Sequence, residues 1–168
     1  MLEIARSAQD STIKRRLDSS ATMETKLVLL INAAATLFLV GLIWMVQIVH
    51  YPLFDMADRA NFPAFEAAHS NRITLIVGPA MLLELVTAGW LLVSRPDGIP
   101  VWTLWVGAAL VGVAWFVTGF VSVPQHAILS GGFNQRAYQT LVDTNWIRTL
   151  AWTLRGGLVL WMLYQTMR

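Results

Sequence analysis

Four apolar runs of about twenty residues or more dominate the chain: Leu27 to about Val49, Ile73 to Val93, Val101 to Val123, and Ile147 to about Met167. At 1.5 Å per residue each is long enough for the roughly 30 Å hydrocarbon core of a bilayer. A spanning barrel would instead need alternating segments of about ten residues, at least eight of them. The pattern predicts an all-α fold, a four-transmembrane-helix bundle with helices over about 27–50, 73–93, 101–123 and 147–167. Composition sharpens this: 56% of the 168 residues are hydrophobic and 13% charged, against roughly 25% charged in an average soluble domain. A net charge of +2 leaves no electrostatic footprint for nucleic acid. With no cysteine there is no disulfide framework, thiolate metal site or cysteine nucleophile. The first run is too long and starts too late for the core of a cleaved signal peptide.

Arginine and lysine set the expected orientation. Arg6, Lys14, Arg15, Arg16, Lys26, Arg95 and Arg168 fall on one side, Arg59, Arg72, Arg136 and Arg148 on the other. Both termini are thus expected in the cytoplasm, with the protein multi-pass in the membrane. Trp90, Trp102, Trp105 and Trp161 would mark the inner interface, and Trp44 and Trp146 the outer one. Residues 1–22 are polar and lack a sustained apolar face, so they read as a mobile extension before a membrane domain over 23–168, with Met23 an alternative start. Each of the two longer outer loops is expected to hold a short interfacial helix, one around Phe62–His69 and one around Tyr138–Asn145.

Sliding the sequence by 76 residues places His50 on His126, His69 on Asn145 and Arg72 on Arg148. This suggests a parallel two-helix internal repeat about an axis along the membrane normal. All three histidines then lie on the outer side. Neutral imidazole ligates zinc, copper, iron and nickel, so His50, His69 and His126, with Asn145 or the Glu66 carboxylate three residues before His69, form a candidate ligand set for zinc, iron or copper. A haem b held between His50 and His126, with Arg72 and Arg148 toward its propionates, is the related expectation, and it would make the protein redox-active. Against these stands the plain reading that interfacial His and Arg meet headgroups and water. Thr118, Ser122 and His126 recur every four residues, and Gln47 precedes His50 by three, so both stripes could line a pocket opening outward. Pro124 removes a backbone donor in the last turn of this helix, which is tolerated only where protein or water satisfies the freed carbonyl.

Deeper, Glu84 and Arg155 fall at neighbouring depths, and pairing is the economical solution because either charge alone in hydrocarbon costs several kcal/mol. A proton relay or the floor of an anion site is the functional alternative. The second functional class is a non-catalytic accessory or binding subunit that takes a small anion or lipid headgroup between Arg72, Arg148 and Arg155. Either class has the bilayer as partner and leaves room for a homo-oligomer or a membrane-complex subunit; whether the chain is an enzyme stays open. The series His50-Tyr51-Pro52-Leu53-Phe54, His69 with Arg72-Ile73, Val123-Pro124 with His126, and Asn145-Trp146-Ile147-Arg148-Thr149 with Trp152 resembles a family of small bacterial four-helix integral membrane proteins. The resemblance covers about residues 25–160. It implies the fold and a location in the bacterial inner (cytoplasmic) membrane and brings no activity with it.

Overall fold

A computed structural model describes the backbone from Leu2 and the side chains from Met23 to Arg168. The mobile extension expected over residues 1–22 lies outside the residues whose side chains are described. The described chain is helical throughout: α1 (Leu2–Met45), a π-helical turn (Val46–His50), α2 (Tyr51–Phe54), α3 (Phe62–Val93), α4 (Val101–Val117), a second π-helical turn (Thr118–Ser122), α5 (Val123–Ser130) and α6 (Gln135–Thr166). Three segments are long and apolar enough to cross a membrane: Met23–Phe54, Phe62–Val93 and Val101–Ser130.

Both π turns have one cause. Pro52 and Pro124 each sit in the first turn of the helix that follows. A proline ring collides with the carbonyl four residues back and offers no N–H to it. Widening the turn by one residue relieves both problems. The last N–H before each proline accordingly bonds five residues back, Tyr51 to the Val46 carbonyl and Val123 to that of Thr118.

The short interfacial helices expected at Phe62–His69 and Tyr138–Asn145 are not separate. They are the opening turns of α3 and α6, each of which runs 32 residues without a break. Pro63 sits in the first turn of α3, where its missing N–H breaks no intrahelical bond. No other proline or glycine stands between Phe62 and Ile73, nor any between Gln135 and Ile147. The polarity that seemed to mark loops marks only where the apolar stretch begins. Asn134 caps α6 by accepting from the Ala137 N–H at 3.0 Å.

Around the bundle α1 packs on α3 and α6, and α4 packs on the same two, so α1 and α4 are diagonal, as are α3 and α6. At the end where Ser94–Pro100 links α3 to α4, Gly98 adopts φ +77°, a turn conformation that glycine allows without strain. Leu29, Leu91, Ile99, Leu104 and Met162 fill that end. Leu39, Ile43, Met81, Ala114 and Trp152 fill the middle. Tyr51, Phe54, Phe62, Leu129 and Leu141 fill the opposite, histidine end. Tryptophans pair at matching levels, Trp44 with Trp146 near the histidine end and Trp102 with Trp161 near the turn end.

The backbone landmarks recur with a shift different from the 76 residues that aligns the histidines. The π turns and their prolines lie 72 residues apart, and the starts of α3 and α6 lie 73 apart. His50 therefore corresponds in the backbone to Ser122, one helical turn from His126. A match resting on a few polar side chains can slip by a turn, because residues four apart share a helix face.

Candidate functional site

Two polar clusters lie along the bundle interior. In the first, the fully buried Glu84 of α3 meets Arg155 of α6 across the diagonal, with Arg155 Nε donating to Oε1 at 2.8 Å. Thr36 Oγ1 donates to the same oxygen at 2.7 Å, and Trp152 Nε1 donates to Oε2 at 3.0 Å. The guanidinium also donates to Asn32 Oδ1 at 2.9 Å. Asn32 in turn donates to Thr87 Oγ1 and to the Glu84 carbonyl. Space for the arginine exists because Gly107 faces it: a Cβ there would stand 2.6 Å from Nη1. No buried side-chain atom of this cluster lacks a partner.

The second cluster, toward the histidine end, is a chain of hydrogen bonds. His126 Nδ1 lies 2.6 Å from Oε1 of Glu66, whose side chain is fully buried, and Ser70 Oγ donates to the same oxygen at 2.9 Å. With Nδ1 of His126 donating, its Nε2 accepts from the Tyr51 hydroxyl at 3.3 Å. Tyr51 and the Arg148 guanidinium face one another. Arg148 Nη1 donates to Ser122 Oγ at 3.3 Å and to Asn145 Oδ1 at 3.2 Å. Asn145 is anchored by donating to Gln47 Oε1 at 2.8 Å. The Arg148 guanidinium also stands 5.3 Å from the Trp152 ring, so this tryptophan separates the two clusters. His50 Nε2 and His69 Nδ1 are hydrogen-bonded at 2.7 Å.

Three buried side-chain atoms among the described residues have no partner, all in this second cluster: Glu66 Oε2, His69 Nε2 and Arg148 Nε. Arg148 is 6% exposed yet makes no ion pair among the described residues; the arginine–carboxylate pairs there are Arg59–Asp55 and Arg155–Glu84, and His126 on Glu66 is an ion pair only when the imidazole is protonated. A buried polar atom without a partner costs about 1–3 kcal/mol, more when charged. The cost falls beside empty space. A cavity of about 440 Å³ is lined by Arg148, His69, His126, Tyr51, Ser122 and Thr118, and otherwise mainly by aliphatic side chains, Trp115 and Trp152.

The structure thus brings His50, His69, His126 and Glu66 together. The ring centroids of His50 and His69 are 4.6 Å apart, those of His69 and His126 5.2 Å. It separates the three arginines expected to share an anion. Arg148 lines the large cavity and Arg155 is paired with Glu84. Arg72 is exposed on α3 and lines, with His50, a second hollow of about 230 Å³. Asn145 holds Arg148 and does not line the cavity. Of the polar stripe, Thr118 spends its hydroxyl on its own helix, donating to the Ala114 carbonyl at 2.7 Å. Tyr51, Ser70 and the Asn32–Thr36 pair take part although no functional motif marks them; for Asn32 and Thr36 the signal is two polar residues four apart inside an apolar run.

The fit to a metal is poor. His50 Nε2 and His69 Nδ1 are bonded to each other, His126 Nδ1 to Glu66 and His126 Nε2 to Tyr51, which leaves His69 Nε2 as the one buried imidazole nitrogen without a partner among the described residues, and no group of three or more His, Cys, Asp or Glu there could hold an ion. A porphyrin between His50 and His126 fits no better, because His69 is the ring that neighbours both. The cavity also differs from the outward-opening pocket of the sequence reading. Phe54 and Phe62, both fully buried, pack with Phe65 and Phe133 over the histidine end. Arg59 lies over the Phe133 ring at 3.3 Å, held by Asp55 at 2.6 Å. The exposed lining residues are instead lateral: Thr74 on α3 against Trp115 on α4 and Val123, Ala127 and Ser130 on α5.

Compared with known proteins, the chain matches no family model, no curated protein and no solved structure.

Proposed function

We propose that the chain is a non-catalytic binding protein of the bacterial inner membrane that holds a small anion or an anionic headgroup at Arg148. The observation that carries this reading is the buried Arg148 guanidinium, without a carboxylate partner and with Nε unused, on the wall of a cavity. A guanidinium is seldom left so inside a membrane protein unless a ligand or water completes it. In this reading α6 is the fourth span. Its interior polar residues Asn145, Arg148, Thr149 and Arg155 are buried, whereas Ile147, Leu150, Leu154 and Leu160 face outward. Low overall apolarity there reflects what the helix hides, not what it would show to lipid. Four spans put both termini on one side, the cytoplasmic side by the arginine and lysine count; reporter fusions at the two ends should then report the same compartment. The two-helix repeat remains part of this proposal, with the backbone landmarks as its support.

The test of the anion reading is thermal unfolding of the purified protein with pairs of ligands that differ only in charge. Anionic members should raise the melting temperature of the wild type and leave Arg148→Gln unmoved; equal shifts in both proteins would refute it. A metal, or a redox role built on one, is the second reading, for which the one observation is that His69 Nε2 and Glu66 Oε2 are both without partners. Stoichiometric zinc, iron or copper in the purified protein, or a haem absorption band, would promote it.

A further inference from the structure

The reading above leaves the ligand as any anion; the shape of the cavity narrows it. Two of the three orphaned atoms belong to residues that line the space, Arg148 Nε and His69 Nε2. The first is a donor in every protonation state. The second becomes a donor when His69 Nδ1 accepts from His50 Nε2, an arrangement that satisfies their 2.7 Å contact. Two unused donors on residues of one cavity wall suit a group with two acceptor oxygens, reached by a small turn of either side chain. Beyond them the walls are Leu39, Ile43, Val46, Val77, Met81 and Trp152, which offer nothing to a hydrated ion. A volume of about 440 Å³ lies in the range that encloses an organic molecule with an apolar body, roughly 300–1,000 Å³.

The way in points the same direction. The aromatic plug of Phe54, Phe62 and Phe133 covers the histidine end. The cavity is instead flanked by exposed residues, Thr74 on one edge and Val123 and Ala127 on the other, on helices whose outward faces are apolar. A side opening between membrane spans faces acyl chains, and what reaches it must already be dissolved in lipid.

Resting on the reading that Arg148 holds an anion, we propose that the ligand is a lipid-soluble carboxylic acid of the long-chain type, admitted sideways from the bilayer between α3 and α5, its carboxylate held by Arg148 and His69 and its chain by the apolar wall. The acid crosses the hydrocarbon layer neutral and is bound as the anion, its proton leaving to water at the interface.

Equilibrium binding of radiolabelled decanoate to the full chain in nanodiscs of zwitterionic lipid tests this, with decanol, acetate and inorganic phosphate as competitors. Decanoate should bind saturably, with decanol at least tenfold weaker and acetate and phosphate not competing at millimolar concentration. Arg148→Gln should weaken decanoate at least tenfold. Ala127→Trp, at an exposed lining position that takes no part in the hydrogen-bonded cluster, narrows the opening and should slow or abolish uptake while the protein melts as the wild type does. If acetate or phosphate competes with decanoate at millimolar concentration and Arg148→Gln abolishes that competition, the lipid-soluble class is overturned and the anion reading at Arg148 survives. If decanoate and decanol bind alike and Arg148→Gln changes neither, or if no probe binds, both fall. Normal uptake by Ala127→Trp overturns the side opening alone.

Discussion

The two interior clusters use the same kinds of residue to opposite ends. Around Glu84 an arginine, a carboxylate, an asparagine, a threonine and a tryptophan close on one another until no buried polar atom is left over. Around Arg148 an arginine and a carboxylate are also present, but Arg148 and Glu66 are joined only through Tyr51 and His126, and three atoms stay unsatisfied beside a cavity. Trp152 forms the wall between them, its indole N–H on Glu84 and its ring toward Arg148. In hydrocarbon a completed network holds helices together, and an incomplete one is where a further molecule can gain free energy. The first cluster thus ties α1, α3 and α6 together, and the second has capacity to bind.

The largest effect that separates them comes from removing one charge from each. Glu84→Gln leaves Arg155 buried without its counter-ion and should cost about 3–5 kcal/mol. The double variant Glu84→Gln with Arg155→Gln should recover part of that. Arg148→Gln removes a cation that has no carboxylate partner and should be near neutral or stabilising in the ligand-free protein. Equilibrium unfolding in mixed micelles reads all three. Equal losses for Glu84→Gln and Arg148→Gln would erase the distinction.

Next in size is Gly107→Ala. The added methyl would stand 2.6 Å from Arg155 Nη1 and 3.6 Å from Leu158 Cδ2, so the guanidinium must leave its bonds to Glu84 and Asn32 or the helices must part. Overpacking of this kind costs about 1–3 kcal/mol. Gly112→Ala, five residues further along α4 with nothing within 4 Å of the new Cβ, should instead gain up to about 1 kcal/mol from helix propensity. The same unfolding assay decides, and a neutral Gly107→Ala would mean that the first cluster has slack.

How far these regions could be read from the sequence follows the range of the interactions. Spans are local, so run length revealed three of them directly, and the depth of Glu84 and Arg155 below their helix ends was enough to bring the two together. The starts of α3 and α6 were not legible, because Phe62–Arg72 and Gln135–Trp146 change polarity without changing conformation; their far ends, Val93 and Thr166, fall where the apolar runs stop. Convergence of His50, His69 and His126 follows from their shared end of the bundle. What they converge on does not: whether the imidazoles face a metal, one another or a cavity depends on sub-ångström placement. The side opening depends on Phe54, Phe62 and Phe133, which come from separate parts of the chain and meet only in three dimensions.

The smallest predicted effect tests the polar stripe that drew attention to this end of the bundle. Thr118 and Ser122 look equivalent in the sequence, both hydroxyls on one helix face and both on the cavity wall. Their bonds differ: Thr118 donates back to Ala114 on its own helix, whereas Ser122 accepts from Arg148 of α6. Thr118→Val preserves shape and removes only an intrahelical bond, so it should change stability by less than about 0.5 kcal/mol, the range of a substitution that breaks no tertiary feature. Ser122→Ala takes an acceptor from a buried guanidinium already short of partners and should cost about 1 kcal/mol. It should also shift Arg148 enough to weaken whatever anion the cavity holds, which Thr118→Val should not. Reversal of the two, with Thr118→Val the more damaging for stability and for binding, would mean that the cavity recognises its ligand through the helix face rather than through the arginine behind it.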